Sequence, residues 1–125
     1  MMLVVNRFDV TESTVPQFVQ DARAAVEALA ACPGFVRARL GAAMDVPDQW
    51  VLVTEWNDVG SYRRALSSFD VKMYGTPLLA RALPEASAFE VTLAADGTDV
   101  TMFDTDRAPG IGLRPDETSR DDGLR

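Results

Sequence analysis

Three side chains whose types suit the binding of a small aromatic molecule stand where the sequence predicts a protein interior. Asn6 interrupts an apolar run typical of a β-strand, Trp56 ends a later apolar run, and Tyr62 lies on the apolar side of a predicted helix. A carboxamide and a phenol hydroxyl can donate hydrogen bonds to a ligand oxygen, and an indole can cover an aromatic ring. We therefore predict that these three residues are catalytic and line an apolar space between sheet and helices. Ordinary packing and backbone hydrogen bonding are the structural alternative.

Four further side chains are predicted to contact a bound substrate. Each shares a strand face or a helical stripe with the catalytic candidates, or flanks them in sequence. They are Phe8, Leu66, Phe69 and Tyr74.

The composition excludes several kinds of catalytic site. The sequence has no histidine, which rules out Ser-His-Asp and Cys-His triads, histidine-bound zinc and ordinary histidine-bound haem. Cys32 is the single cysteine, so the chain has neither an intrachain disulfide nor a thiolate metal cluster. We therefore predict a site without metal or cofactor.

Charge and hydropathy limit the partners and the location. With 12 basic and 19 acidic residues, the net charge of -7 opposes binding to a phosphate backbone, and we predict no nucleic-acid partner. No apolar run approaches the roughly 18 residues that a membrane-spanning helix needs. Residues 1–5 carry neither a basic leader nor a cleavage site, so we expect a cytoplasmic protein without a membrane partner.

The hydrophobic periodicity predicts four strands and two helices in the order β-α-β-β-α-β. Segments that alternate apolar and polar residues, or are rich in β-branched residues, predict strands. Apolar residues that recur at helical spacing predict helices. Thr14 has capping-box spacing with Gln17, and a break near Gly75–Pro77 divides the second helix. The strands are expected at 3–10, 35–40, 50–56 and 88–93, and the helices at 15–32 and 59–83.

This order predicts an α+β fold of the ferredoxin-like kind, with two helices on one face of a four-stranded antiparallel sheet. Leu3–Val5 and Trp50–Val53 are apolar on both sides of their strands, so the face away from the helices also needs cover. The simplest cover is a second copy, and we predict a homodimer with stacked sheets. The alternative is that the C-terminal segment folds back over its own sheet.

The composition changes from Asp96 onward, where Gly, Pro, Asp and Arg dominate. We predict a domain over residues 1–95 and an acidic extension over 96–125. The extension is expected to hold one short strand at 100–103 and to be a loose tail beyond about Pro115.

Several segments together resemble the antibiotic biosynthesis monooxygenase superfamily over about residues 3–94. The most specific segments are Pro33–Phe35 and Glu55–Trp56, the latter directly before the second helix, which carries Tyr62. The segments Val5–Val10 and Phe89–Val91 add to the resemblance. The resemblance implies a dimeric α/β barrel. It also implies the activity of the quinone-forming members, which oxidise polyketide-type phenols with molecular oxygen and without metal or flavin.

The resemblance suggests roles for the three catalytic candidates. Trp56 and Tyr62 match aromatic pocket positions of the quinone-forming branch, whereas Asn6 matches the first-strand asparagine of the haem-degrading branch. That second branch uses a histidine on the second helix, and Ser67–Tyr74 contains none. The leading hypothesis is a cofactor-independent monooxygenase that acts on a small aromatic, polyketide- or quinol-type molecule. A non-catalytic binding or accessory dimer is the alternative, because no general base is evident, and a haem-binding or haem-degrading relative is the third.

Overall fold

A computed structural model describes residues 1–105, which fall into a first unit, Met1–Val91, and a second unit that begins at Thr92. The first unit holds four strands, three α-helices, a 3₁₀ turn at Glu12–Thr14 and a π-helical turn at Val71–Gly75. Its elements are β1 Met2–Asp9, α1 Val15–Ala30, β2 Phe35–Ala42, β3 Gln49–Trp56, α2 Val59–Leu66, α3 Thr76–Leu79 and β4 Ala88–Glu90.

The four strands form one antiparallel sheet in the order β2-β3-β1-β4. The outer strands are therefore β2 and β4, and β1 and β3 lie at the centre with Met2 opposite Trp56 and Asn6 opposite Leu52. This arrangement confirms the predicted ferredoxin-like α+β fold. It also fixes which side chains share a face, because strand residues alternate between the two sides of a sheet.

The helical layer covers one face of this sheet and buries its apolar side chains. Val4 and Phe8 of β1 and Leu52 of β3 are at most 1% exposed. They pack in clusters with α1 residues that recur at helical spacing, among them Phe18, Ala22, Ala25 and Leu29. Asn6 lies on the same face by alternation and is half-buried.

Two helix boundaries differ from the sequence prediction. Thr14 does not cap α1 through its side chain; its hydroxyl donates to the Thr11 carbonyl instead. The second helical segment breaks at Ser67 and Ser68, earlier than the predicted Gly75–Pro77. Here the Ser68 hydroxyl donates to the Ala65 carbonyl and accepts from the Val71 N–H, so a side chain replaces the helical backbone bonds.

The fourth strand is shorter than predicted and ends at Glu90 rather than Leu93. Glu90 lies opposite Met2, and the Val91 N–H bonds the Met1 carbonyl, so the pairing has reached the first residue of β1. Leu93 instead begins a hairpin in the second unit, formed by β5 Leu93–Asp96 and β6 Asp99–Met102 around Gly97 at φ 58°. The loose tail predicted beyond Pro115 lies outside the described residues.

The sheet face away from the helices carries a group of apolar side chains. Leu3, Val5, Val51 and Val53 are half-buried there, and Phe89 is 44% exposed. Charged pairs lie beside this apolar face: Arg37 contacts Glu55 at 3.8 Å, and Arg7 contacts Glu85 at 3.2 Å. No helix within residues 1–105 is long and apolar enough to cross a membrane.

Candidate active site

Trp56 is completely buried, and its side chain makes one hydrogen bond and one edge-on ring contact. Its indole N–H donates to the Thr54 hydroxyl at 2.9 Å, and the Phe35 ring meets it edge-on with centroids 5.3 Å apart. Thr54 is itself 2% exposed and lies on the same strand face two residues earlier. The indole is therefore a rigid, fully paired part of the core at the end of β3.

Tyr62 packs against Trp56 and carries a hydroxyl that has no hydrogen-bond partner in the described part of the chain. The two ring centroids lie 5.4 Å apart at an interplanar angle of 56°. The side chain is half-buried, and its hydroxyl makes no hydrogen bond to any residue of 1–105. Burial raises the pKa of Tyr62 above its ordinary value of 10.0, so the hydroxyl remains a neutral donor at physiological pH.

Two local interactions fix the start of α2 and thereby the position of Tyr62. The Asp58 carboxylate accepts the Ser61 N–H at 2.7 Å and caps the helix, and this hydrogen bond lowers the pKa of Asp58. Gly34 adopts φ +88°, and a Cβ there would collide with the Ser61 side chain. The Pro33–Gly34 turn can therefore approach α2 closely only because glycine has no side chain.

We expect Thr54→Val to destabilise the protein by about 1–3 kcal/mol, because the isosteric change leaves the buried Trp56 N–H without an acceptor. Equilibrium urea denaturation measures the effect. Thr101→Val, at an exposed position of β6, is the matched control and should change the free energy of unfolding by less than about 0.5 kcal/mol. Equal effects of the two substitutions would show that the Thr54–Trp56 bond contributes nothing.

The structure brings Trp56 and Tyr62 together and places Asn6 farther along the sheet. Asn6 is four residues along β1 from Met2, the residue opposite Trp56, which corresponds to about 13 Å at the usual strand rise. Its carboxamide faces the helical layer and makes no hydrogen bond within the described chain. Asn6 and Tyr62 are therefore two polar groups, each without a hydrogen-bond partner among the described residues, at separate points between the sheet and the helices.

The four predicted substrate-binding residues lie at different depths. Phe8 is buried under α1, with its ring 5.2 Å from that of Phe18. Leu66 is half-buried beside the cluster that contains Trp56. Phe69 and Tyr74 are 74% and 53% exposed, because they follow the break after α2 and no longer continue the stripe of Tyr62 and Leu66. Phe69 and Tyr74 therefore lie on the outer surface of the helical layer.

Sequence reasoning did not single out Trp50, whose indole nitrogen differs from that of Trp56 in its hydrogen bonding. The Trp50 indole nitrogen is buried and has no hydrogen-bond partner within residues 1–105. The residue lies opposite Phe8 on the helix-facing side, and its ring meets Phe18 at 5.6 Å. Apolar patterning cannot distinguish a paired indole from an unpaired one.

Three clefts are lined by described residues. The first, of about 230 Å³, lies between α1 and β2. The second, of about 290 Å³, lies at the Ala42–Gln49 end of the β2–β3 hairpin. The third, of about 280 Å³, lies between α1 and the Met73–Arg81 segment and is lined in part by Tyr74. Asn6, Trp56 and Tyr62 line none of these three. No group of three or more potential metal-binding side chains occurs among residues 1–105.

The sequence of this first unit matches a family profile. Residues 1–74, from β1 to the π-helical turn, match the profile described as antibiotic biosynthesis monooxygenase. The chain belongs to this family. The match covers more than half of the sequence and includes Asn6, Trp56 and Tyr62, as the resemblance noted above implied.

Solved structures agree with this assignment. The cofactor-independent oxygenase SnoaB from Streptomyces nogalater is 29% identical, with a TM-score of 0.62 over 72% of this chain and 91% of SnoaB. A conserved protein from Methanosarcina mazei Go1 is 21% identical, with a TM-score of 0.59 over 70% of this chain and 89% of its own. A conserved protein of unknown function from Bacteroides thetaiotaomicron is 14% identical, with a TM-score of 0.60 over 72% and 97%. The last two show the shared fold alone. No curated protein matches the sequence significantly.

Proposed function

We propose that this protein is a cofactor-independent monooxygenase that oxidises a small aromatic, polyketide- or quinol-type substrate between its sheet and its helices. Family membership over residues 1–74 is the observation that carries the proposal. The likeness to SnoaB, a cofactor-independent oxygenase, supports it further. Tyr62, whose ring packs on the buried Trp56, supplies an aromatic surface with a hydroxyl that is unpaired within residues 1–105, which suits a phenolic ligand.

In this proposal, Tyr62 is the main polar contact to the reacting molecule. Its hydroxyl has no partner within the described chain and a raised pKa, so it can donate to a phenolate or a peroxide oxygen without first breaking an internal bond. Trp56 gives this aromatic surface its rigidity, since Thr54 and Phe35 fix its ring. Asn6 offers a second donor deeper along β1.

The other predicted substrate contacts divide into an inner and an outer pair. Phe8 and Leu66 would supply apolar surface from within the protein. Phe69 and Tyr74 would meet a substrate only as it enters or leaves, because both are exposed. Contact with all four therefore requires an elongated substrate or a path across the helical layer.

The chemistry assigned to the protein is orientation and desolvation. An activated CH₂ flanked by aromatic rings loses a proton, and the carbanion transfers an electron pair to O₂ to form a C–O bond as a peroxide. Loss of water then leaves a carbonyl, so that CH₂ and O₂ become C=O and H₂O. Donors near the developing anion lower the barrier because they act where water is excluded.

Oxygen uptake with anthrone as the substrate tests this function. We expect the purified, chelator-treated protein to consume one O₂ for each anthraquinone formed, well above the rate of autoxidation in buffer. Saturable binding of anthrone without uptake above the blank would instead identify a binding or accessory protein. A Soret shift on titration with haem would support the haem-handling alternative.

We further propose that the protein works as a homodimer whose two sheets stack through the faces that lie away from the helices. Leu3, Val5, Val51 and Val53 form the centre of this face, and Phe89 extends it. The charged pairs Arg7–Glu85 and Arg37–Glu55 would form part of a polar rim. Two-fold stacking covers both copies at once, because the same apolar group meets itself.

A further inference from the structure

The β5–β6 hairpin of the second unit exposes an apolar face. Leu93 lies opposite Met102 and Ala95 lies opposite Val100, so these four side chains share one face of the hairpin. The three large ones, Leu93, Val100 and Met102, are 58%, 66% and 75% exposed. A two-stranded hairpin by itself is marginally stable in water and needs a further strand or a packing surface. Within residues 1–105 this hairpin has no third strand, and its apolar face has no cover.

The other face of the hairpin is acidic. Asp96 lies opposite Asp99 beside the turn at Gly97, and Ala94 and Thr101 complete this face. Neither aspartate has an ion-pair partner among residues 1–105. Like charges directly opposite each other on neighbouring strands are unfavourable. A cationic neighbour would therefore stabilise this face.

The outer strand β2 of the first unit has an open edge and two contrasting faces. β2 pairs with β3 alone within the described chain, so the backbone groups along its other edge have no strand partner there. On the helical side, Ala38 and Leu40 line the apolar cleft of about 230 Å³ between α1 and β2. On the opposite side, Arg37 and Arg39 are exposed, and Arg39 has no ion-pair partner among residues 1–105. The edge is thus apolar on one side and cationic on the other, which complements both faces of the hairpin.

The connection to β4 is too short for a hairpin to reach this edge on its own chain. β4 lies at the opposite end of the sheet order β2-β3-β1-β4, so a strand added beyond β2 stands four strand spacings from it, about 19 Å. Leu93 follows Glu90, the last residue of β4, by three residues. Three residues extend over at most about 10 Å. A hairpin that pairs with β2 must therefore belong to a second copy of the chain.

We propose that two copies of the protein exchange their hairpins, so that one strand of each hairpin pairs with the open edge of β2 in the other copy. The apolar face of the hairpin then covers the cleft beside Ala38 and Leu40. Asp96 and Asp99 lie on the other side of the extended sheet, where they approach Arg39. Main-chain hydrogen bonds to the open edge hold the added strand. The exchange deepens the proposed homodimer, on which its two-fold form rests.

Charge reversal in two separate variants tests the exchange. Arg39→Glu makes the edge of β2 acidic, and the double variant Asp96→Arg/Asp99→Arg makes the hairpin basic. Each variant alone should dimerise at least about tenfold more weakly than the wild type, because like charges then meet across the contact. An equimolar mixture should form heterodimers with the affinity of the wild type, since both contacts of the heterodimer join opposite charges.

Sedimentation velocity over a dilution series measures the affinities, and native mass spectrometry measures the composition of the mixture. Arg63→Glu reverses an exposed charge on α2 and is the matched control, with an expected affinity within about twofold of the wild type. Variants that dimerise as tightly as the wild type overturn the proposal. A mixture in which heterodimers do not exceed the statistical half overturns it as well.

A second pair of variants compares the two faces of the hairpin. Val100→Asp places a charge on the apolar face and should weaken dimerisation at least about tenfold. Thr101→Asp places the same charge on the acidic face of the same strand and should weaken it no more than about twofold. Equal effects of the two substitutions contradict the exchange. A Val100→Asp variant that is less stable to urea but dimerises normally also contradicts it, because the apolar face is then covered within its own chain.

The outcomes separate the exchange from the proposed stacking of sheets and from the proposed oxidation. None of these measurements requires turnover of a substrate. Preferential heterodimers of a protein whose Val5→Asp variant stays dimeric contradict the stacking and support the exchange. A monomeric Val5→Asp variant together with a statistical mixture of the charge-reversed variants contradicts the exchange alone.

Discussion

Val5→Asp is expected to convert the proposed homodimer into a folded monomer. Val5 lies at the centre of the sheet face away from the helices, opposite Val53 on the neighbouring strand. In the proposed two-fold dimer the substitution buries two carboxylates, one from each copy, among the apolar side chains of Leu3, Val51 and Val53. Several kcal/mol per unpaired buried charge correspond to an increase of at least about a thousandfold in the dissociation constant.

Sedimentation velocity at about 10 μM protein measures the change, with far-UV circular dichroism to show that the variant remains folded. Val59→Asp is the matched control, because it places the same charge on the exposed, helical side of the unit at the start of α2. It should remain dimeric. A wild-type protein that sediments as a monomer, or a Val5→Asp variant that stays dimeric, contradicts stacking through this face.

Tyr62→Phe is expected to reduce kcat/KM for anthrone oxidation about a hundredfold, the size of effect seen when one donor to a developing oxyanion is removed. The phenylalanine ring keeps the contact with Trp56. The hydroxyl has no internal partner within the described chain, so its loss should change the free energy of unfolding very little. Activity and stability are thus expected to separate.

Steady-state oxygen uptake measures this loss, and urea denaturation measures stability in parallel. Ser67→Ala removes an exposed hydroxyl just beyond the end of α2 and serves as the control, with an expected rate within about twofold of wild type. An unchanged rate in Tyr62→Phe would exclude the hydroxyl from the reaction. A fall in rate that parallels a fall in stability would assign Tyr62 a packing role only.

Much of the fold follows from local sequence patterns. Alternation along β1 and β3 and the helical stripe of α1 predict the sheet, its covered face and the inward direction of Asn6. The meeting of Trp56 and Tyr62 is also predictable, because a strand end and the following helix start are necessarily close. Asp58, a residue type that is favoured at helix starts, caps α2.

The remaining features depend on interactions that a periodic pattern does not record. Extending the Tyr62–Leu66 stripe to Phe69 assumes an unbroken helix, whereas the Ser68 hydroxyl replaces backbone bonds and shifts the phase. The distance between Asn6 and Trp56 follows from strand register, and register is set by pairing rather than by composition. The unpaired Trp50 N–H likewise has no signature in the sequence.

Isotope labelling tests whether this protein transfers oxygen to a substrate without a cofactor. Chelator-treated wild-type protein is incubated with anthrone under ¹⁸O₂, and the anthraquinone is analysed by mass spectrometry. Oxygen transfer without a cofactor predicts one ¹⁸O atom in each product molecule, formed in proportion to protein concentration and strongly reduced in Tyr62→Phe. Product that forms at the rate of the protein-free blank, or that carries no label after correction for exchange with water, would contradict it.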